Sequence, residues 1–361
     1  MDEELRATLR LARSGLLTAR HLCDAFRLHG SIAAVLDACT RAGVSRRLAA
    51  ACEAHLEADL RWLERSGAQL LPASSPAYPP RLGAIADAPA VLYVRGDLAA
   101  LARTQLAIVG ARAATPGGRA LAHDLAAELV QHGLAVTSGL ALGIDAGAHQ
   151  GALAAGGPTL AVCGHGLDRV YPSGHADLAR RILECGAMLS ELPPGTPPRP
   201  VHFARRNRIV SGLAEGVIVV EARARSGALS TARFARAQGR VVLAVPGSPR
   251  NPLAAGCHGL LRKGAVLCER ADDALRAIDF KSKKQGLTRV IGAGAGAAAS
   301  APRLDKPYEM LLDALGFEPA SIDTLVERTG LSSASLASML LMLELEGRVA
   351  PHPGGCYHRL S

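Results

Sequence analysis

Several features that would assign a protein to a common class are absent from this chain of 361 residues. No apolar run approaches the ~18 residues that a membrane-spanning helix needs. The first residues, MDEELRATLRLARSG, contain no cationic stretch followed by an apolar one, so they predict no secretory signal. None of the eight cysteines forms a C-x-x-C pair, which disfavours a zinc site. The sequence therefore predicts a cytosolic protein without a membrane segment or a bound metal.

The usual nucleotide fingerprints are also missing. Gly164-His165-Gly166 follows an apolar run, but the third glycine of a dinucleotide fingerprint is absent. No G-x-x-x-x-G-K-[ST] sequence occurs anywhere in the chain. Neither NAD nor ATP has a standard cradle here, and we expect no cofactor.

Positive charge is abundant, and it is unevenly distributed. The chain has a formal net charge of +9. Residues 71–280 carry 22 Lys/Arg and 15 Asp/Glu, which gives +7 for this part alone. Within it, residues 199–240 contain nine arginines against only Glu215 and Glu221. Such a field favours a polyanionic partner such as nucleic acid; a solvated arginine-rich surface is the alternative.

Changes in hydrophobic periodicity divide the chain into four predicted parts. Residues 1–70 have helical spacing throughout and predict a SAM-like or helix-hairpin-helix bundle, whose near-neutral charge favours bracing over DNA contact. In residues 71–280 short apolar runs alternate with amphipathic segments. Residues 281–305 lose the periodicity and predict a flexible linker. Residues 306–361 predict three helices and a terminal hairpin, which is typical of a winged helix.

The apolar runs of the second part define its fold. They are nearly continuous and do not alternate, which indicates strands covered on both faces, as in a parallel sheet between helices. The sequence therefore predicts an extended Rossmann-like α/β domain, preceded by a proline-rich linker or docking segment over 72–90. The predicted strands are 91–94, 106–110, 134–138, 159–164, 187–192, 216–222, 241–247 and 265–269.

The third helix of the predicted winged helix has an unusual composition. In winged helices this helix usually reads DNA. Here no Lys or Arg lies between Ser332 and Gly347, and a helix without cations binds phosphate poorly. We therefore favour a protein contact or a self-contact for this helix over DNA reading.

The stretch 106–149 contains two copies of one pattern: a strand, a glycine-rich turn and a helix. Such turns lie at the carboxyl ends of parallel strands, where the N–H groups of the next helix bind anions. Gly110 and Arg112 form the first turn, and Arg112 adds a cation. In the second turn Ser138, Gly139 and Gly143 would permit close approach of a backbone or ligand.

Two further residues of this stretch, Asp145 and His149, lie one helical turn apart and could hydrogen-bond across a helix face. We interpret them as an orienting pair behind the glycine turn, with Asp145 as a helix cap as the alternative. A catalytic pair would need a nucleophile or metal beside it, and the sequence specifies neither.

The segment from Phe203 to Arg208 is the most polar one that precedes a strand. Arg205, Arg206, Asn207 and Arg208 are consecutive, so on a helix at least one should point back at the sheet. Phe203 beside these cations offers a base-stacking platform, although it could instead be a core residue that anchors the helix. After another strand, Ser226 and Gly227 could offer small donors to a bound group.

Taken together, these stretches resemble the DNA-processing protein A family (DprA, also called Smf). The resemblance covers most of residues 75–270, in order. It is carried by IVGAR (108–112), SGLALGIDAGAHQGAL (138–153), TLAVCGHGLDRVYP (159–172), LSELPPG (189–195), FARRNRIVSGL (203–213), VIVVEARARSGALSTARFA (217–235) and VLAVPGSPRNPLAAGCHGLLRKGA (242–265).

The resemblance implies a non-enzymatic role in natural transformation. Members of this family bind incoming single-stranded DNA without sequence preference, protect it, help load the RecA recombinase and act as homodimers. Ala111 stands where a hydroxyl residue is common in the family, which would remove one phosphate contact. The residues expected to bind DNA are Gly110, Arg112, Ser138, Gly139, Gly143, Phe203, Arg205, Arg206, Asn207, Arg208, Ser226 and Gly227.

Two other functions are compatible with parts of the pattern. An enzyme acting on a nucleotide or a phosphorylated small molecule could use the same sheet edge, with Asp145 and His149 beside it. A regulator could read DNA sequence through the winged helix, but the cation-free third helix weakens that hypothesis.

Overall fold

A computed structural model of the chain describes residues 3–15, 17–41, 45–278, 306–316 and 319–360. The linker predicted over 281–305 lies outside these residues. Two compact units are distinguished: the residues up to 278 without 115–121, and the C-terminal residues together with 115–121. None of the described helices is both long and apolar enough to cross a membrane.

The N-terminal part is helical, and local sequence signals set several helix ends. Thr18 and Ser31 accept hydrogen bonds from His21 N and Ala34 N, so each caps the start of a helix. Gly30 ends the second helix with φ 80°, a conformation that glycine adopts without strain. The helices are α1 (Glu3–Ser14), α2 (Ala19–His29), α3 (Ile32–Cys39) and α4 (Ser45–Ser66).

This bundle braces the outer strands of the sheet. Leu9 and Leu56 pack in one buried cluster with Tyr93 of the sheet. Asp59, which is only 2% exposed, pairs with Arg13, so the charge does not remain buried alone. Helical structure ends earlier than predicted, because residues 69–72 form a strand.

The proline-rich segment 72–90 is a docking segment rather than a free linker. Tyr78, Leu82 and Ile85 are buried in the main core. The Tyr78 hydroxyl donates to the carbonyl oxygen of Pro89 at 2.7 Å, which closes the segment on itself. A four-residue helix, α5 (Pro80–Gly83), forms here despite the prolines, because proline suits the first position of a helix.

A nine-stranded sheet forms the centre of the first unit, and the predicted α/β fold class is confirmed. All eight predicted strands are present. The strand at 69–72 was not predicted, and the first two strands run antiparallel to their neighbours. The strands are β1 (Gln69–Pro72), β2 (Val91–Gly96), β3 (Gln105–Val109), β4 (Ala135–Ser138), β5 (Thr159–Cys163), β6 (Ala187–Ser190), β7 (Gly216–Val219), β8 (Val241–Ala244) and β9 (Val266–Leu267).

The strand order, β1-β2-β6-β5-β4-β3-β7-β8-β9, reverses direction at β3. Consecutive strands run to one side from β3 to β6, and the chain then returns to β7 on the other side of β3. In doubly wound sheets a crevice opens outside the carboxyl ends of the strands at such a switch point. The helices of this unit are α6 (Pro116–Gln131), α7 (Ile144–Ala154), α8 (Ala176–Cys185), α9 (Pro200–Leu213), α10 (Ala228–Ala237), α11 (Ala255–Leu261) and α12 (Ala271–Ala277).

The C-terminal residues form the predicted winged helix. Leu325, Leu336 and Leu340 are fully buried in its core. The third helix also exposes apolar side chains, with Leu345 at 75% exposure. Its elements are α13 (Lys306–Leu315), β10 (Ala320–Ser321), α14 (Ile322–Thr329), α15 (Ser333–Leu345), β11 (Val349–His352) and β12 (Cys356–Arg359), with strand order β10-β12-β11.

Candidate nucleic-acid interface

An open cleft of about 1260 Å³ lies at the switch point of the large sheet. Gly110 and Arg112 line it from the turn after β3, and Gly139 lines it from the turn after β4. Phe203, in the first turns of α9, and the loop after β7 form other parts of the lining. The cleft therefore occupies the position at which the topology favours ligand binding.

The two glycine-rich turns pack directly against each other. Gly143 has φ 78°, and a side chain there would collide with the carbonyl oxygens of Ala111 and Arg112. Ile144 N at the start of α7 donates to the Ala111 carbonyl oxygen at 3.2 Å. Glycine at 143 is thus explained by the close approach of two backbones, and Gly143 does not line the cleft.

Asp145 engages the backbone amides that were expected to bind phosphate. Its carboxylate accepts hydrogen bonds from Gly139 N at 3.1 Å and from Ala141 N at 3.3 Å. Ser138 is fully buried and donates to the Ile108 carbonyl oxygen at 2.6 Å. The second turn is therefore satisfied internally, in contrast to the expected array of free donors.

Arg206 is the arginine of α9 that points back at the sheet. It is 7% exposed, and its Nη1 donates to the carbonyl oxygens of Gly139, at 2.7 Å, and of Val162. A side chain at residue 139 would collide with its guanidinium. Arg206 thus ties α9 to the ends of β4 and β5.

Asp145 and Arg206 are two buried groups of opposite charge that lie close enough to influence each other's pKa. Burial raises the pKa of the Asp145 carboxyl, and Arg206 and the two backbone amides act in the opposite direction. Burial lowers the pKa of Arg206, but a guanidinium remains protonated in proteins. The pair stabilises the sheet edge from beneath the cleft, where each charge compensates the other.

The other polar residues of this α9 segment have different surroundings. Arg208 is 3% exposed and pairs with Glu191 at 2.6 Å and Asp87 at 3.0 Å. Arg205 is largely exposed and shares Glu191 at 3.1 Å. Asn207 donates to Ser230 Oγ at 2.8 Å and so joins α9 to α10. Only Arg206 and Asn207 of these four residues line the cleft.

An aromatic pair with a cation forms part of the cleft lining. Phe203 is half-buried, and its ring stacks with Tyr171 at 5.5 Å between centroids and 29° between planes. The Arg112 guanidinium carbon lies 5.4 Å from the Phe203 centroid, within cation–π range. Tyr171 is 43% exposed, so part of this stack remains open to a ligand.

The expected pairing of Asp145 with His149 does not occur. His149 is fully buried, and its Nδ1 lies 2.7 Å from Thr159 Oγ1 on β5. Burial lowers the pKa of His149 to about 3, so the imidazole is neutral at physiological pH. The arrangement contains no Asp–His dyad, because Asp145 is bound to the amides of the glycine turn. In the described residues, no cluster of three or more His, Cys, Asp or Glu side chains could hold a metal.

The structure brings most of the predicted residues to one cleft. Those that line it are Gly110, Arg112, Gly139, Phe203, Arg206, Asn207, Ser226 and Gly227, together with Asp145. Ser138, Gly143, Arg205 and Arg208 do not line it. Ser226 Oγ accepts a hydrogen bond from Ala228 N at 3.3 Å, so it is engaged at the start of α10. Lining residues that sequence reasoning missed are Tyr171, Arg225, Arg233, Arg236, Arg262 and Lys263.

Only part of the missed set had a signal in the sequence. Arg225, Arg233 and Arg236 belong to the arginine-rich segment 199–240, but nothing in the sequence shows which way their side chains point. Arg262 and Lys263 lie in a distant segment and join the cleft only through the tertiary fold. Among the described residues, the lining contains one carboxylate, Asp145, whose charge Arg206 offsets, so the open lining is strongly cationic.

Two family profiles match most of the chain. The profile of the DNA recombination-mediator protein A family matches residues 69–279, and that of the DprA winged helix domain matches residues 295–355. Protein Smf of Escherichia coli is 42% identical over 308 residues, which cover 84% of this chain and 81% of that protein.

Two solved structures are also similar. DNA processing protein A of Streptococcus pneumoniae has a TM-score of 0.65 and 36% identity, with 74% of this chain and 95% of that chain covered. DNA processing protein A of Helicobacter pylori, which has a single-stranded DNA binding mode, has a TM-score of 0.54 and 29% identity, with 60% and 96% covered.

Proposed function

Since the chain belongs to the DNA recombination-mediator protein A family, we propose that its cleft binds single-stranded DNA without sequence preference. The protein would protect single strands taken up in natural transformation, in the cytosol, and help load the RecA recombinase onto them. Its role in this proposal is binding and delivery, with no catalytic step. Asp145 and His149, the residues that could suggest catalysis, are engaged in internal hydrogen bonds.

The observation that carries the proposal is the stack of Tyr171 and Phe203 with Arg112 over the Phe203 ring. A base can stack on such a platform only when its face is free, which favours a single strand over a paired duplex. The adjacent guanidinium can contact the phosphate of the same nucleotide. Stacking is tolerant of base identity, because every base has a π-face.

The size of the cleft favours a strand over a small molecule. Its volume of about 1260 Å³ exceeds the range of roughly 300–1,000 Å³ that is typical of small-ligand pockets. A nucleotide or sugar phosphate would fill only part of it. The exposed cations of the lining are also more numerous than a single phosphate group needs: Arg112, Arg225, Arg233, Arg236, Arg262 and Lys263.

We also propose that the chain acts as a homodimer, as the family resemblance implies. β9 is the last strand of the sheet and has no partner on its outer side within the described residues. Val266 and Leu267 on this strand are 41% and 47% exposed. An exposed apolar edge is a surface that a second chain can cover. Sedimentation equilibrium tests this proposal, and a monomer at all concentrations contradicts it.

Replacement of Arg112 by Glu tests the DNA site. The substitution removes a charge-assisted contact and adds repulsion, so we expect about a 100-fold loss of affinity for oligo-dT. Fluorescence anisotropy over a salt titration measures it, and urea unfolding shows whether the fold is retained. Wild-type protein should bind the single strand more tightly than a duplex of equal length.

A matched control makes the same charge change outside the cleft. Arg180 lies on α8 and is 64% exposed, so Arg180→Glu should affect the affinity for oligo-dT by less than about threefold. If Arg112→Glu is folded and binds oligo-dT as tightly as the Arg180 variant, the cleft is not the DNA site. Tight, saturable binding of a mononucleotide would instead favour the small-molecule enzyme.

A further inference from the structure

The side of the cleft formed by α10, α11 and the loop before α10 carries a second group of cations. We call it the α10–α11 wall and define it as Arg225, Arg233, Arg236, Arg262 and Lys263. All five residues line the cleft, and all five are exposed. None of them belongs to the set that the sequence motifs indicate as DNA-binding.

These cations lack acidic partners, in contrast to two exposed arginines on other helices of this unit. On α8, Arg180 pairs with Asp177 at 2.8 Å and with Glu184 at 2.6 Å. On α12, Arg276 pairs with Asp273. Among the described residues, no carboxylate pairs with any member of the α10–α11 wall. Arg236 donates to the carbonyl oxygen of Lys263, but a neutral carbonyl does not cancel its charge. The positive charges of the wall therefore repel each other, and binding of a polyanion relieves this repulsion.

The wall lies in line with the stacking platform along the sheet edge. Arg112 follows β3, whereas α10 and α11 follow β7 and β8, one and two strands farther along. With neighbouring strands about 5 Å apart, the wall begins within one or two nucleotides of the platform. Asn207 on α9 donates to Ser230 on α10, which fixes the two parts relative to each other.

The wall differs from the platform in chemistry. Within the described part of the chain, the aromatic residues of the cleft lining are Tyr171 and Phe203, and both belong to the platform. The wall offers guanidinium and ammonium groups but no ring on which a base could stack. Such a surface contacts phosphates and leaves the bases free.

We propose that the α10–α11 wall is a second DNA subsite, which binds the backbone phosphates of the nucleotides that follow those stacked at Phe203. This inference rests on the proposed single-strand function and assigns a division of labour within that site. One part of the cleft holds bases and a phosphate, and the other holds phosphates alone. The bases over the wall therefore remain accessible to pairing.

The test compares a neutralised wall with a neutralised control surface in the full-length chain. The wall variant is Arg233→Gln/Arg262→Gln/Lys263→Gln. The control, Arg20→Gln/Arg61→Gln/Arg103→Gln, loses the same charge from exposed positions outside the cleft. Affinity is measured for oligo-dT of about five and about 20 nucleotides, and for the short oligonucleotide extended to the same length with abasic residues at either end.

We expect the wall variant to bind the short oligonucleotide within about twofold of wild type, because the platform is intact. It should bind the long oligonucleotide at least about tenfold more weakly than wild type does. The slope of log affinity against log salt concentration should also become shallower by about two, since each lost phosphate contact reduces its magnitude by roughly 0.7. For the wild-type protein, abasic residues added to one of the two ends of the short oligonucleotide should raise its affinity nearly as much as added thymidines do. The wall variant should lose this gain, and the control variant should keep it.

Several outcomes overturn the inference. The wall variant could bind the long oligonucleotide as wild type does while Arg112→Glu fails to bind, which leaves the proposed function intact and removes the subsite. The wall variant could instead lose affinity for the short and the long oligonucleotide equally, which would make the wall the primary binding site. An equal loss in the control variant reduces the effect to bulk charge. If Arg112→Glu also binds normally, the proposed function itself fails.

Discussion

Arg206 on α9 and Arg233 on α10 are arginines of neighbouring helices that line the same cleft. Arg206 is buried, donates to two backbone carbonyls and compensates the charge of Asp145. Arg233 is exposed and has no carboxylate partner among the described residues. The first residue is positioned to hold the sheet edge together, and the second to meet a ligand. Residue type and proximity to the cleft therefore do not distinguish structural from binding arginines; burial and pairing do.

The substitution Arg206→Met tests the structural role of Arg206 and should have the largest effect on stability. The substitution removes two hydrogen bonds to the sheet and leaves Asp145 buried without its counterion. We expect the free energy of unfolding to fall by about 3–5 kcal/mol, measured by urea denaturation. Arg205→Met, at a largely exposed neighbour, should cost less than about 1 kcal/mol.

A double variant separates the charge from the packing. Arg206→Met/Asp145→Asn removes both charges, so part of the lost stability should return relative to Arg206→Met alone. If Arg206→Met unfolds at the same urea concentration as wild type, the structural role of Arg206 is wrong. The same result would make Arg206 a candidate for direct DNA contact, as its place in the motif suggested.

Much of the fold was predictable because buried parallel strands are continuous apolar runs. The glycine turns after β3 and β4 were predictable for the same reason, since they end such runs. The strand at residues 69–72 was missed because a four-residue antiparallel edge strand leaves little pattern. Hydrophobic periodicity therefore specified the sheet and the position of the cleft along it.

The directions of individual polar side chains were much harder to predict. Consecutive residues on a helix face different ways, which indicated that some arginine of α9 would turn inward, but the partners were far away in sequence. Arg208 meets Glu191 and Asp87, and His149 meets Thr159 in place of Asp145. Such contacts depend on how the helices pack on the sheet. The α10–α11 wall was missed for that reason.

The stability of the fold and the affinity of the cleft for DNA should respond differently to pH, because a buried histidine affects only the first. The pKa of His149 is lowered to about 3 by burial, whereas the unfolded chain has the ordinary value of 6.5. As pH falls below 6.5 the unfolded state takes up a proton that the folded state excludes until pH 3 is approached. The contribution of His149 to the free energy of unfolding is therefore fully present above pH 6.5. Below that pH it decreases by about 1.4 kcal/mol per pH unit.

Between pH 7 and pH 5 we therefore expect His149 to account for about 2 kcal/mol of lost stability. Urea unfolding of His149→Gln should show a pH dependence that is flatter than that of the wild type by that amount. Affinity for oligo-dT should change little over the same range, because guanidinium and ammonium groups remain charged. An unchanged slope in His149→Gln would show that this histidine does not titrate with unfolding.

The smallest expected effect concerns the winged helix, which extends the comparison to a helix without cations. Its third helix, α15, carries no Lys or Arg and exposes Leu341, Met342 and Leu345. Arg328 donates to a backbone carbonyl and Arg359 pairs with Asp313, so these two cations are engaged within this unit. Such a surface suits a protein contact better than a phosphate backbone.

A chain that ends at residue 305 should therefore keep its affinity for oligo-dT within about threefold, with an unchanged salt slope. The first unit has its own buried core, so the shortened chain should remain folded, and circular dichroism checks this. The matched comparison is Arg112→Glu in the full-length chain, which loses the cleft contact and keeps the winged helix. Loss of binding in a folded shortened chain, with retention in Arg112→Glu, would reverse the assignment and place the DNA site on the winged helix.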